Sequence, residues 1–96
     1  MTNDTAVTDG LTIQLDREIR NHLAGLDNCI VLRREHPSYG YTKAEILARL
    51  NRLVGMLYAR WVMLNGPSAA VELCADEAAT DMGIDLADVT TRARAA

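Results

Sequence analysis

The chain has 96 residues, enough for one small domain with a single modest core. Its apolar fraction of 49% is ordinary for a folded protein, and no apolar run approaches the roughly 18 residues of a membrane helix, so no membrane association is expected. The net charge of −3 is unevenly spread: residues 1–10 carry −2, residues 11–65 carry +3 and residues 66–96 carry −4, which suits one charged partner for the middle and another for the tail.

Residues 1–10, MTNDTAVTDG, are polar, small and aperiodic, and are expected to form a disordered tail. They lack the basic n-region and apolar core of a secretory signal, so the expected location is the cytoplasm. In that compartment Cys29 and Cys74 are expected to be reduced and packed. Leu11-Thr12-Ile13-Gln14-Leu15 alternates apolar and polar, the period of a strand. Asp16 can cap a helix that carries the stripe Ile19, Leu23, Leu26 and Ile30. Leu11, Leu15 and Ile19 are also four apart, so the helix can equally begin earlier. It is expected to end near Arg33-Arg34, because Pro37 forces His36 out of the helical region.

The strongest helix signal is YTKAEILARLNRLVGMLYARWVMLNG, residues 41–66. Thr42 with Glu45 three residues on is a capping box, and Tyr41 with Ile46 is spaced for a hydrophobic staple. Ile46, Leu50, Leu53, Leu57, Trp61 and Leu64 draw one stripe, and Asn65-Gly66-Pro67 stops the helix. Beyond it, Ser68 can cap a helix carrying Val71, Leu73, Cys74 and Ala78, which Gly83 can end; Asp85 can cap a last helix through Val89. The organisation expected is a tail over 1–10, a strand-helix-helix core over 11–65 and an acidic helical segment over 66–96, where a protein partner could dock.

A lone strand leaves its amides and carbonyls unpaired, which a symmetric homodimer repairs by pairing the strand with its own copy. Leu11, Ile13 and Leu15 would face a shared core, joined at the interface by Ile46, Leu50, Leu53 and Leu57. Thr12 and Gln14 would face outward on a ribbon that fits the major groove of double-stranded DNA. With LTIQLDREI at 11–19 and GYTKAEILARLNRLV at 40–54, the sequence resembles the ribbon-helix-helix repressor family. The resemblance implies a mainly α homodimer with a short N-terminal strand, acting as a transcription regulator or antitoxin-like repressor. It also implies base contacts from Thr12 and Gln14, and a phosphate anchor at Gly40, Thr42 and Lys43. The alternative is an all-α hairpin or bundle without a strand, a protein-protein interaction module that does not bind nucleic acid.

Other signals point in several directions. Arg17, Arg20, Arg49, Arg52 and Arg60 fit a DNA surface or a solvated face equally. His22, Cys29 and His36 recur every seven residues, but Pro37 takes His36 off the helix, so no metal or cofactor is expected. Trp61, Met56 and Met63 read as core or dimer interface. Ala79, Gly83 and Val89 have the spacing of a helix-turn-helix unit, but its second helix would begin with acid and repel phosphate. No nucleophile with a base, paired carboxylates or phosphate loop is present, so an enzyme is not expected.

Overall fold

Residues 11–15 can satisfy their backbone in two ways, and only one of them, the ribbon, needs a second strand. A computed structural model describes residues 3–67 and 70–96, and in it these five residues are helical. The described residues form four helices: α1 (Asn3–Glu35), α2 (Lys43–Asn65), α3 (Val71–Asp81) and α4 (Leu86–Ala95). There is no strand among the described residues, so the expected strand at Leu11–Leu15 and its ribbon are corrected to part of α1. The four-residue step from Leu11 to Leu15 to Ile19 prevails over the five-residue alternation, because it continues a stripe with a core to face. α1 is already helical at Asn3, inside the segment expected to be unstructured. The mainly α expectation holds in its strand-free form.

α1 and α2 form an antiparallel hairpin. Arg60 meets Asp16 at one end (2.6 Å), and the Arg33 guanidinium donates to the Tyr41 carbonyl at the other (3.3 Å). The connection is tight: the Gly40 amide donates to the His36 carbonyl at 2.7 Å. A Cβ on Gly40 would lie 2.8 Å from both the His36 and Leu32 carbonyl oxygens.

α2 is capped as its sequence predicts. Thr42 Oγ1 accepts from the Glu45 amide, and the Glu45 carboxylate accepts from the Thr42 amide. Its far end closes on Gly66, at φ 89°, whose amide donates to the Val62 carbonyl. The expected cap Ser68 lies outside the described residues; Ala70, which has no side-chain oxygen to offer, stands at the start of α3. α3 ends in a Schellman turn, with Gly83 at φ 73°, its amide donating to Thr80 and that of Ile84 to Ala79. Asp85 caps α4 through the Asp88 amide, and α4 runs past Val89 to Ala95.

The core lies where α2 meets the other three helices. Among the described residues α3 packs on α2 and α4 but not on α1, while α4 also touches α1. Ile19, Leu26 and Ile30 of α1 and Ile46, Leu50, Leu53 and Leu57 of α2 are buried with Ala75, Ala78 and Ala79 of α3 and Val89 and Ala93 of α4. Alanine at three places on α3 lets its backbone approach α2 closely. The stripe Ile46, Leu50, Leu53 and Leu57, expected at a dimer interface, is therefore enclosed within one chain.

Candidate interaction surface

The groups expected to anchor nucleic acid are used inside the chain. Lys43 Nζ donates to the Arg94 carbonyl at the end of α4, where a cation meets the negative end of a helix. Thr42 Oγ1 holds the Glu45 amide, and the Glu45 carboxylate sits beside it at the start of α2. Hydrogen bonds from the Thr42 amide and then its hydroxyl hold the Glu45 carboxyl below the usual carboxylate range. An approaching phosphate would meet a carboxylate in place of free amides. Gly40 serves the loop through its contact with His36.

Thr12 and Gln14 do not share a reading face. Two residues apart on a helix, they point about 200° apart, with Thr12 half-buried and Gln14 exposed. The five arginines also part company. Arg60 bridges Asp16 and Asp81, Arg20 donates to the Met82 carbonyl, and Arg49 lies over the Tyr41 ring. Arg17 and Arg52 stay exposed. Arg92 bonds Asp27 at 2.6 Å and Asp88 at 2.9 Å, and these two carboxylates, Asp27 first, push its guanidinium pKa further up.

The helix-turn-helix spacing is realised in backbone terms: Ala79 and Val89 are buried and Gly83 makes the turn. Its electrostatics are wrong for DNA. The Asp85 carboxylate takes an amide at the start of α4, with Asp88 in the same turn. His22, Cys29 and His36 do not converge either. His22 Nδ1 meets the Glu18 carbonyl, Cys29 is buried, and His36 stacks on Tyr39 at 4.9 Å and shares a 2.8 Å hydrogen bond with its hydroxyl.

At one end of the hairpin several apolar side chains are left without cover. The register set by Asp16 and Arg60 brings the end of α2, Asn65, level with about residue 11 of α1, so Asn3–Gly10 outrun the hairpin by roughly 12 Å at 1.5 Å per residue. At this end Leu11 is 50% exposed, Ile13 61%, Leu64 46% and Met63 36%. Leu73, at the nearby start of α3, is 68% exposed. Leu11 and Ile13, expected at an interface as strand residues, are exposed helix residues, while Leu15 is half-buried against the core. Met63 and Leu64 have a legible signal, since Leu64 is the last member of the α2 stripe and extends beyond the buried part of it.

The aromatic corner at the other end has no comparable signal in the sequence. An open pocket of about 510 Å³ is lined there by Leu32, His36, Tyr39, Gly40, Tyr41 and Glu45. No helix is long and apolar enough to cross a membrane among the described residues. No protein-family model, curated protein or solved structure matches the chain.

Proposed function

We propose that this protein is a non-enzymatic helical interaction module that docks through the apolar end formed by α1 and α2, and that it does not bind nucleic acid. The observation that carries this is the exposure of Leu11 and of Met63 and Leu64 at one end of the hairpin, where the α1 and α2 stripes run out of the core; Ile13, two residues from Leu11, is exposed on another side of α1. Clustered apolar exposure of that kind costs solubility unless something covers it. The anchoring side is closed in the same molecule: Lys43 is bound to α4, and Thr42 and Glu45 are bound to each other. The acidic helix start at Asp85 and Asp88 weighs further against phosphate.

The test is a titration of the full chain against random duplex DNA at low and moderate salt, with Lys43→Ala alongside. Neither protein should bind at either salt concentration. Salt-dependent binding by the full chain, weakened in Lys43→Ala, would restore the DNA-regulator reading.

A further inference from the structure

We infer that the aromatic corner, at the hairpin end away from Leu64, binds a small quaternary ammonium ion through the rings of Tyr39 and Tyr41 and the carboxylate of Glu45. The site lies apart from the apolar end and does not depend on the interaction-module reading.

The cavity has the size and lining for such a ligand. Its volume of about 510 Å³ falls within the roughly 300–1,000 Å³ of pockets that take small molecules. Three of its six lining residues carry rings, His36, Tyr39 and Tyr41, and Leu32 adds an apolar wall. His36 and Tyr39 are stacked and hydrogen-bonded to each other, which holds two rings together although Tyr39 is 78% exposed. The Tyr41 ring already carries a cation, since the Arg49 guanidinium lies 5.1 Å from its centroid. Ring faces attract positive charge in this way.

Charge decides the sign of the ligand. Glu45 is the one carboxylate among the lining residues, and hydrogen bonds from the Thr42 amide and hydroxyl keep it ionised. Both of those bonds fall on Oε1, which leaves Oε2 for another partner. The nearby cations do not line the cavity. Arg33 donates to the Tyr41 carbonyl, Lys43 is turned to α4, and Arg49 lies on Tyr41. The end of α1 adds the negative pole of a helix. An anion would be repelled by both.

Hydrogen bonding decides the kind of cation. The Leu32 carbonyl accepts from the His36 amide, the His36 carbonyl from those of Tyr39 and Gly40, and the Tyr41 carbonyl from Arg33. These backbone acceptors are already in use, so a primary ammonium would find few partners for its three N–H donors. A quaternary ammonium has no donors to satisfy. Its charge, spread under methyl groups, suits rings and a single carboxylate oxygen.

The experiment titrates the full chain with choline and with dimethylbutanol, its uncharged isostere with carbon in place of nitrogen. It is run at about pH 8, where an imidazole is ordinarily neutral, and the amide chemical shifts of Tyr39, Tyr41 and Glu45 report binding. Choline should bind roughly fivefold or more tightly than the isostere. Tyr39→Leu should weaken choline binding by roughly threefold, and so exposed a ring can be removed with the far-UV helix signal kept. Glu45→Gln, which preserves a capping-box partner for Thr42, should remove most of the preference for choline over the isostere. Arg49→Ala should tighten choline binding, because it takes a like charge off Tyr41. Equal binding of choline and isostere by the wild type would make this an apolar pocket only and overturn the proposal. Shifts that choline leaves unmoved would also overturn it, as would choline binding that neither Tyr39→Leu nor Glu45→Gln alters.

Discussion

Thr42 and Glu45 are the two residues in which local sequence and local structure agree most closely. Each satisfies a backbone amide of the other, so Thr42→Ala removes one bond directly and loosens its reciprocal. The cost should be about 1 kcal/mol in chemical denaturation, the usual worth of an N-cap. The pair also sets a pH dependence. The folded Glu45 carboxyl titrates below its unfolded counterpart, so its contribution is complete above the unfolded value. It is lost as pH falls through the lower folded value. In Thr42→Ala that acid-limb loss should shrink, which stability measured across the acid range in both proteins will show. Gly40 is constrained for another reason: its missing Cβ makes room for two backbone oxygens that cannot move aside as side chains do. Gly40→Ala should therefore cost on the order of 1–3 kcal/mol, as overpacking does. An unchanged melting temperature would mean that the loop rearranges freely.

At the scale of elements, α2 is legible because its cap, stripe and stop all lie within its own sequence. α1 is legible only from Asp16 onward. Residues 11–15 satisfy a strand pattern and a helix pattern at once, and five residues are too few for periodicity to choose. The choice is made by the surface opposite: α2 offers an apolar stripe to pack on, and no strand among the described residues offers hydrogen bonds. The same blindness explains the interface residues. Ile46, Leu50, Leu53 and Leu57 are visibly a buried stripe in sequence, but whether α1 and α3 or another subunit buries them is decided by the path of the chain. Basic residues are harder still, since Arg20, Arg60 and Lys43 find partners 62, 44 and 51 residues away. Within α1, Gly25 sits mid-helix with nothing within 4 Å of where a Cβ would lie. Gly25→Ala should stabilise the protein by roughly 0.5–1 kcal/mol by removing backbone freedom from the unfolded chain. Destabilisation would show that α1 is not continuous at that point.

For the whole molecule, the decisive matter is whether residues 66–96 are an appendage or part of the core. Their charge of −4 suggests a separable tail, but their apolar residues argue otherwise. Cys74, Ala75, Ala78, Ala79, Met82, Ile84, Leu86, Val89 and Ala93 are all buried. α3 lies along α2, α4 bridges back to α1, and Arg92 reaches Asp27 while Arg60 reaches Asp81. The surface ion pairs contribute little, because both partners remain partly in water. The alanine-rich contact with α2 matters more, since removing it would expose the flank of α2 that includes Leu50, Val54 and Trp61. A protein ending at Gly66 would keep one hairpin with half its core face bare. Net stability of a small domain is only about 5–15 kcal/mol, and losing several buried side chains at once exceeds that. The truncated chain should show reduced helicity, no cooperative thermal transition and strong binding of an apolar dye. Calorimetry of both lengths provides the measurement. A cooperative transition in the short chain close to that of the full one would establish the hairpin as a domain by itself, with α3 and α4 as accessories laid upon it.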